Sequence, residues 1–399
     1  MDITLLGTGA PTGLPRPDCS CAACARALGP EARAATSVLV DGVLLLDLTP
    51  GAALAAARAG RTLHGVRQVV LAHPHDGPVP EFPGDLPPAV RLPAGEELAL
   101  LTGHRVRAVA PDSPGTGYAV TGPDGHRLLY LPPGAGPAGE RTDRTPLELC
   151  LVDVVKRPDA VARLRAGGAI GPATDLVAVH LDHDVPPGPE LHRRLAAAGA
   201  RAAPDGAVFA TDGPVPAPVV PRRTLVLGGA RSGKSLEAER RLETFPEVVY
   251  AATGGGRAGD AEWGERVRTH RERRPAGWTT EETRDPVPLL RAEGPPLLVD
   301  CLSLWLTAVM DTAGAWEEDR WRNGAATEVR RRIGELADAI RHTPRTVVAV
   351  SNEVGSGVVP ATPAGRRFRD ELGRLNAAVA AECEQVLLVV AGTALPLRG

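Results

Sequence analysis

A glycine-rich loop just past the middle of the chain carries the most specific chemical pattern in the sequence. Residues 224–235 read TLVLGGARSGKS, an apolar run followed by a complete match to G-x-x-x-x-G-K-[ST]. In such a loop the glycines let backbone N–H groups turn toward a phosphate. Lys234, one of only two lysines in the chain, supplies a charge for the β- and γ-phosphates, and the Ser235 hydroxyl can hold Mg²⁺. The alternative is a glycine-rich turn with a surface lysine, but the pattern favours a nucleoside triphosphate site.

The segments that follow the loop predict the elements that position it. Residues 236–242 have good helix composition, which would place the phosphates at a helix N-terminus. β-rich runs follow at 247–252, 297–300, 345–351 and 385–390, and helix-compatible stretches lie at 262–273, 325–341 and 366–383. Because strands that alternate with helices form a parallel sheet covered on both faces, we expect an α/β, P-loop NTPase-type domain with a mostly parallel sheet. Asp300 ends one apolar run, where it either helps to hold Mg²⁺ or lies in a loop or helix cap.

Length and composition predict two globular domains. The 399 residues exceed one ordinary domain, and 43% hydrophobic with 23% charged residues is typical of globular proteins. A formal net charge of −3 argues against a nucleic acid or an anionic membrane as a partner bound by bulk charge. We find no secretory signal pattern and no apolar run of membrane-spanning length, so we expect a cytoplasmic protein without a transmembrane segment. Six cysteines in such a chain do not indicate a disulfide framework.

A proline-rich segment at 214–221 predicts the domain boundary. Half of its eight residues are proline, which disfavours both helix and sheet pairing and gives a semi-rigid linker. Eight of the ten histidines precede this segment, whereas all five tryptophans follow it. The expected domains are therefore 1–213 and 222–399.

Six motifs of the C-terminal half occur in the order typical of one enzyme family. They are GGARSGKS at 228–235, YAAT at 250–253, RVRTHRERRP at 266–275 with a following tryptophan, LVDCLSLW at 298–305, SNEVGSGVVP at 351–360 and FRD at 368–370. Through them, 222–399 resembles the bifunctional adenosylcobinamide kinase/adenosylcobinamide-phosphate guanylyltransferases of cobalamin assembly. The resemblance implies a homo-oligomer formed through this domain. It also implies two steps on one corrinoid: phosphorylation of adenosylcobinamide with GTP or ATP, then GMP transfer from GTP to adenosylcobinamide phosphate with release of pyrophosphate.

The resemblance implies that His270 is the residue that becomes guanylylated. A neutral imidazole is nucleophilic near pH 7, and its phosphoramidate would keep the GMP group activated for a second displacement. Without the resemblance, one histidine among arginines is more simply explained by a solvated helical face. The resemblance also implies nucleotide contacts at Gly228, Gly229, Ala230, Arg231, Ser232, Gly233, Lys234, Ser235, Ala252, Thr253, Gly254, Arg271, Glu272, Arg273, Arg274, Glu282 and Asp300.

Two of the acidic residues among these contacts have open alternatives. Glu282 either accepts hydrogen bonds from the guanine edge or is an exposed acid. Asp300 stands where many family members have glutamate. The aspartate keeps the negative charge, but its side chain is shorter by one methylene group. No base for the kinase step is identifiable from the sequence, and phosphoryl transfer depends chiefly on positioning and charge stabilisation.

Three cysteines of the N-terminal half, Cys19, Cys21 and Cys24, lie within six residues of one another. Their C-x-C-x₂-C spacing indicates either a metal site or three free thiols. Together with ITLLGTG at 3–9, this motif resembles the opening of metallo-β-lactamase-fold phosphodiesterases, in particular the cyclic phosphodiesterase of the carbon–phosphorus lyase pathway. The resemblance implies an αββα sandwich and a structural Zn²⁺ held by the three cysteines and His183.

The catalytic metal pattern of that fold is incomplete in this chain. The fold requires His-x-His-x-Asp-His, whereas residues 73–78 read HPHDGP, and YLPPG at 130–134 lacks the bridging aspartate. We therefore expect a catalytically impaired domain. One alternative is that this domain still binds a single ion through His73, His75, Asp153 and His180. Another is that it is an active phosphodiesterase that acts on a cobamide precursor. For the whole chain, the alternative is a sensor that binds GTP without turnover.

Overall fold

The computed structural model of the protein describes residues 1–74, 86–139, 145–213, 220–254 and 274–399. These residues form two compact units, Met1–Val220 and Pro221–Gly399. No helix within the described ranges is long and apolar enough to cross a membrane.

The N-terminal unit contains two β-sheets. The strands of the first are β1 (Asp2–Gly7), β2 (Ser37–Val40), β3 (Leu44–Leu46), β4 (Gln68–Val70), β5 (Ala89–Val90) and β13 (Val208–Ala210), in the order β13-β1-β2-β3-β4-β5. The strands of the second are β6 (Glu97–Ala99), β7 (Arg105–Val109), β8 (Gly117–Thr121), β9 (Arg127–Tyr130), β10 (Leu149–Val152), β11 (Asp175–Ala178) and β12 (Arg201–Ala202), in the order β12-β11-β10-β9-β8-β7-β6. Strands β9 to β12 are parallel, so their carboxyl ends share one edge of the second sheet.

The side chains of these strands alternate between an inner and an outer core. On β1, Ile3 and Leu5 pack into the core between the two sheets, whereas Leu6 faces outward. The outward cluster packs on helix α2 (Ala52–Arg58), and helices α3 (Pro158–Ala166) and α4 (Pro189–Ala197) cover the outer face of the second sheet. A short helix α1 (Ala22–Arg26) carries the cysteine motif. The arrangement is helix, sheet, sheet, helix, which confirms the expected αββα layers.

The C-terminal unit is built on one seven-stranded sheet. Its strands are β14 (Arg223–Gly228), β15 (Val248–Ala252), β16 (Trp278–Glu282), β17 (Leu297–Asp300), β18 (Val347–Asn352), β19 (Gln385–Val390) and β20 (Thr393–Arg398), in the order β16-β15-β17-β18-β14-β19-β20. All neighbouring pairs are parallel except β19 and β20, which confirms the mostly parallel sheet.

Helices cover both faces of this sheet. They are α5 (Lys234–Arg240), α6 (Val287–Arg291), α7 (Leu302–Ala313), α8 (Glu318–Arg320), α9 (Ala326–Arg341) and α10 (Pro363–Ala381). Leu225 of β14 packs on the face that α7, α9 and α10 cover, whereas its neighbour Val226 packs on the face that α5 covers. Burial on both faces explains why the central strands are nearly continuous apolar runs rather than alternating ones.

The strands predicted at 247–252, 297–300, 345–351 and 385–390 are confirmed, with differences of at most two residues at an end. The helix predicted at 366–383 begins earlier, at Pro363, because the Thr362 hydroxyl accepts a hydrogen bond from Gly365 N and caps it. The helix predicted at 262–273 lies outside the described residues. The sequence reasoning missed β16, β20 and the buried helix α7.

Candidate functional site

The glycine-rich loop joins the end of β14 to the first turn of α5. Gly233 is the residue before the helix and has a φ of 95°, and Arg231 has a φ of 57°. Backbone in this left-handed region, alternating with right-handed residues, turns successive N–H groups to one side and makes an anion-binding concavity. At Gly228 a Cβ atom would lie 2.7 Å from the carbonyl oxygen of Val389, so a side chain there is excluded by backbone. Lys234 lies at the start of α5, and its Nζ donates to the Gly229 carbonyl at 3.0 Å.

One hydroxyl in this loop is buried without a protein partner. Ser232 Oγ has no hydrogen-bond partner among the described residues, although the backbone carbonyl of Ser232 is held by Gly392 N at 2.9 Å. An unsatisfied buried hydroxyl costs free energy, which a bound phosphate oxygen would recover. Gly392, between β19 and β20, therefore holds the loop in place, while the Ser232 hydroxyl is left as a donor for a ligand.

The register of the sheet brings the remaining described candidates to the same edge. Gly228 pairs with Asn352, Asp300 pairs with both Ala252 and Val350, and Ala252 pairs with Glu282. Because these strands are parallel, their carboxyl ends and the loops that follow them meet there, as in ligand sites of open α/β sheets. The structure thus brings together the loop at 228–235, the turn at 252–254, Asp300, Glu282 and Arg274.

Asp300 is fixed by a neighbour on the next strand. The Tyr250 hydroxyl donates to Asp300 Oδ2 at 2.7 Å. The helix-cap alternative for Asp300 is wrong, because Cys301 occupies the N-cap position of α7. Thr253 fastens the adjacent turn, since its N–H donates to the Asp300 carbonyl and its hydroxyl donates to the Cys301 carbonyl at 2.7 Å.

Arg274 lies against the other side of the same tyrosine. Its guanidinium carbon is 3.3 Å from the centroid of the Tyr250 ring, and its Nη1 donates to Thr280 Oγ1 at 3.0 Å. Glu282, at the end of β16, is exposed. His270, Arg271, Glu272 and Arg273 lie outside the described residues.

A network of amides and hydroxyls behind this edge was not identified from the sequence. Asn352 Nδ2 donates to Ser303 Oγ at 2.8 Å, and the buried Asn376 of α10 donates to the Asn352 carbonyl at 3.0 Å. Asn376 also accepts from the Ser351 hydroxyl at 2.7 Å. The network holds the end of β18 beside Gly228. The one sequence signal for it is a polar residue at an otherwise apolar helix position, which is too common to point to a site.

The three cysteines and His183 of the N-terminal unit form a compact cluster. Their ligand atoms all lie within 4.8 Å of one another, and it is the one such group of His, Cys, Asp or Glu in the described parts of the chain. His183 Nδ1 lies 3.3 Å from the sulfur of Cys19, 3.7 Å from that of Cys21 and 3.6 Å from that of Cys24. These four residues form a Cys₃His group whose ligand atoms are close enough together to hold one metal ion.

Two of the histidines named as alternative metal ligands, His73 and His180, lie against groups of the protein itself, and so does Asp47, which was not identified from the sequence. Asp47 accepts from the Tyr130 hydroxyl and from Ala72 N, both at 2.6 Å, and His73 Nε2 lies 3.2 Å from the same carboxylate. His180 Nε2 is 2.9 Å from the Leu131 carbonyl. His75 lies outside the described residues.

Burial shifts two titratable groups at this edge of the second sheet in opposite directions. It lowers the pKa of His180 to about 3, so the ring is neutral and donates to the Leu131 carbonyl. It raises the pKa of Asp153 to about 6, although backbone N–H groups of Lys156 and Gly134 bond to the carboxylate.

Comparison with known proteins identifies the C-terminal unit. The family described as cobinamide kinase / cobinamide phosphate guanyltransferase matches residues 224–397. The bifunctional adenosylcobalamin biosynthesis protein CobP of Pseudomonas aeruginosa is 44% identical over 184 residues, which cover 44% of this chain and 98% of that protein. The corresponding CobU proteins of Salmonella typhimurium and Escherichia coli are 37% and 36% identical over 180 residues, again 44% of this chain and 98% of each relative.

Solved structures give weaker likenesses for about half of the chain. Zinc-bound PqqB from Methylobacterium extorquens is 16% identical, with a TM-score of 0.39, and the match covers 53% of this chain and all of that one. A diphosphatase of the PhnP family is 20% identical, with a TM-score of 0.38, over 52% of this chain and 97% of that one. The assignment of four layers to the N-terminal unit is based instead on its own strand order and hydrophobic clusters. Since residues 224–397 carry nearly the full length of their curated relatives, the chain belongs to the cobinamide kinase / cobinamide phosphate guanyltransferase family.

Proposed function

We propose that this chain catalyses both reactions named for its family. In the first, the aminopropanol hydroxyl of adenosylcobinamide attacks the γ-phosphorus of GTP or ATP, the nucleoside diphosphate leaves, and the hydroxyl proton passes to solvent. In the second, GMP is transferred from GTP to adenosylcobinamide phosphate, which gives adenosylcobinamide-GDP and pyrophosphate. The observation that carries the proposal is 44% identity to a bifunctional enzyme over 98% of its length, combined with a complete phosphate loop.

The phosphate loop would bind the triphosphate. Its inward-turned N–H groups and the N-terminus of α5 would bind the negatively charged phosphates, and the buried Ser232 hydroxyl would donate to a phosphate oxygen. Lys234 would leave the Gly229 carbonyl to reach the β- and γ-phosphates. Ala252, Thr253 and Gly254 lie at the end of β15, on the same carboxyl edge of the sheet, and would contact the nucleotide, with Glu282 beside the guanine edge.

The oxygen atoms present fit a magnesium ion. Ser235 follows the lysine of the loop, and Asp300 ends the strand two places away in the sheet, so a hydroxyl and a carboxylate from two elements would reach the phosphates. Mg²⁺ prefers such ligands together with phosphate oxygens and water. When bound, it would neutralise charge on the triphosphate as displacement proceeds. The protein's own part is to hold the triphosphate and the acceptor in line.

His270 would carry the guanylyl group between the two substrates. A ring nitrogen attacks the α-phosphorus, the bond to the β-phosphate oxygen breaks, and pyrophosphate leaves. A phosphate oxygen of adenosylcobinamide phosphate then attacks the same phosphorus, and cleavage of the P–N bond frees the imidazole. Arg271, Arg273 and Arg274 would offset the negative charge in both displacements, with Glu272 among the same contacts. The support is the family membership of 224–397 and the nucleophilicity of a neutral imidazole.

Labelling with α-phosphate-labelled GTP and Mg²⁺ tests this proposal. We expect an acid-labile, base-stable label on the wild-type chain, located at 270 by peptide mass spectrometry and absent from His270→Ala. His342→Ala is the matched control, because His342 is the other histidine of this unit and is exposed at the end of α9. A wild-type chain that binds GTP without becoming labelled would instead be a nucleotide sensor. A label retained in His270→Ala would assign the nucleophile elsewhere.

The N-terminal unit would hold a structural zinc ion and have no hydrolase activity. With Zn–S near 2.3 Å and Zn–N near 2.05 Å, a tetrahedron separates sulfur from nitrogen by about 3.6 Å, close to the three separations of 3.3, 3.7 and 3.6 Å. By contrast, Asp47 is already bonded to Tyr130 and to backbone, which leaves little of the carboxylate for a second metal. Hydrolysis of bis-p-nitrophenyl phosphate with Mn²⁺ or Zn²⁺, abolished by His73→Ala, would overturn this assignment.

Two expectations follow from these activities. The corrinoid and nucleotide substrates are small molecules of the cell interior, so the enzyme would work in the cytoplasm. It would form a homo-oligomer through the C-terminal domain, which size-exclusion chromatography with light scattering would measure on the full chain and on residues 222–399.

A further inference from the structure

The carboxylate that approaches the triphosphate from β17 is oriented by one hydrogen bond from an adjacent strand. Tyr250 lies two residues before the end of β15, and its register partner on β17 is Leu298, two residues before Asp300. The phenol therefore reaches diagonally along the sheet to Asp300 Oδ2, at 2.7 Å. Within the described part of the chain this is the one side-chain hydrogen bond to Asp300.

The phenol is the donor in this hydrogen bond. Tyr250 is 5% exposed, and burial together with the nearby Asp300 charge raises the pKa of its hydroxyl. The hydroxyl is therefore protonated near neutral pH and acts as the donor to the carboxylate. The bond occupies Oδ2, and among the described residues no side-chain donor bonds to the other oxygen of Asp300.

The ring of the same tyrosine supports a cation. The Arg274 guanidinium lies over the ring face at 3.3 Å from its centroid, and Nη1 donates to Thr280. Arg274 Nε is buried without a hydrogen-bond partner among the described residues. A guanidinium stacked in this way keeps donors free for a phosphate in a fixed direction.

We propose that Tyr250 is a positioning residue for the nucleotide reactions, with its hydroxyl orienting Asp300 toward the divalent cation that accompanies the triphosphate and its ring orienting Arg274. The inference rests on the proposed function. The two parts of the side chain have separable roles, so two substitutions distinguish them. Tyr250→Phe keeps the ring under Arg274 and removes the donor to Asp300, whereas Arg274→Gln removes the stacked cation and leaves the donor in place.

The decisive measurement is binding of Mn²⁺ in the presence of GTP, followed by the loss of the free-ion electron paramagnetic resonance signal. Outer-sphere partners of metal ligands typically contribute a factor of about 10 to 100 in affinity. We expect Tyr250→Phe to weaken Mn²⁺ binding by at least about tenfold and to raise the Mg²⁺ concentration for half-maximal labelling by the same factor. At saturating Mg²⁺ the apparent affinity for GTP should return close to that of the wild type. Arg274→Gln should do the reverse, weakening GTP with little change in Mn²⁺ affinity.

Tyr118→Phe is the matched control for a structural effect. Tyr118 is also buried, and its hydroxyl donates to the Leu71 carbonyl at 2.8 Å in the N-terminal unit. Its substitution should cost stability and leave the Mn²⁺ affinity unchanged. Unaltered Mn²⁺ affinity in Tyr250→Phe, with labelling of the wild type intact, would refute the positioning role. Absence of labelling in the wild type would refute the proposed function, while the Mn²⁺ titration would still report on Tyr250.

Discussion

His180 and Asp153 should have opposing effects on the stability of the N-terminal unit in mild acid. Both lie at the carboxyl edge of the second sheet, just beyond β11 and β10. His73 and Tyr130 face the His180 ring, and Lys156 is the cation beside Asp153. Burial drives each group toward its neutral form. The free energy of unfolding therefore contains two pH-dependent contributions of opposite sign.

For His180 the pKa falls from 6.5 to about 3 on folding. Between these values the unfolded chain binds more protons than the folded one, so stability is lost as the pH falls below 6.5. From pH 7.5 to pH 5 this loss amounts to about 2 kcal/mol. The pKa of Asp153 rises from 3.8 to about 6, so the folded state binds the extra proton and stability is gained as the pH falls below 6. Over the same interval that gain is about 1.4 kcal/mol.

The two effects nearly cancel in the wild type, and removing either group exposes the other. We expect the pH dependence of Asp153→Asn to show the loss of about 2 kcal/mol between pH 7.5 and pH 5, and that of His180→Asn to show the gain of about 1.4 kcal/mol. Asparagine suits position 180 because its φ is 59°, a conformation that asparagine tolerates. Comparing each variant with the wild type at both pH values removes any common contribution, such as protonation of the cysteine cluster.

Urea unfolding followed by circular dichroism and by tryptophan fluorescence measures this. All five tryptophans lie beyond residue 262, so a transition seen by circular dichroism and absent from the fluorescence belongs to the N-terminal unit. Equal pH dependence of the wild type and both variants would refute the assignment of neutral, buried forms to these two groups. If His180→Asn instead loses more stability than the wild type between pH 7.5 and pH 5, the imidazole is charged in the folded protein.

Three further results are expected. Lys234→Ala should weaken GTP binding at least about 100-fold by isothermal titration, whereas replacement of the other lysine, Lys156→Ala, should leave it unchanged. Gly228→Ala should lower the melting temperature of the C-terminal unit by several degrees in fluorescence-detected melting, because the new methyl group would meet the Val389 carbonyl; an unchanged melting temperature would show that the loop can shift. Cys24→Ser should reduce zinc, measured by plasma mass spectrometry, from about one per chain to nearly none, and retention of a full equivalent would place the metal elsewhere.

The sequence predicted those strands whose burial makes them locally apolar. The runs that became β15, β17, β18 and β19 are buried on both faces, and their boundaries were correct within two residues. The strand β16 was missed because it lies at the edge of the sheet and, apart from Trp278, is exposed. The last strand, β20, contains Pro396, which has no N–H to donate and is tolerated because the strand lies at the edge of the sheet. The helix α7 was missed for the opposite reason, because polar residues are few in it and a short apolar run does not distinguish a buried helix from a buried strand.

The candidate site divides in the same way between local and long-range information. The phosphate loop is contiguous, so its pattern could be read directly, and the strand-to-helix context around Lys234 is as expected. The bonds from Tyr250 to Asp300 and from Asn376 to Asn352 join residues 50 and 24 positions apart. They depend on which strands are neighbours and on their register, neither of which is written in a local pattern. A tyrosine or an asparagine at an otherwise buried position is therefore visible in the sequence, but its partner is not.

The two units show that residue type alone does not make a reactive site. Both place aspartate beside tyrosine at the carboxyl edge of parallel strands. In the N-terminal unit, the Asp47 carboxylate accepts hydrogen bonds from the Tyr130 hydroxyl and from backbone N–H groups, and His73 lies against it. The bonds of this carboxylate are therefore made within the protein. In the C-terminal unit the phenol bonds to one oxygen of Asp300, and it is the one side-chain donor to this carboxylate among the described residues. In our proposal, a tyrosine–aspartate hydrogen bond therefore helps to close the first group and orients the second toward a ligand. The difference lies in how many of the carboxylate's bonds the fold itself has already used.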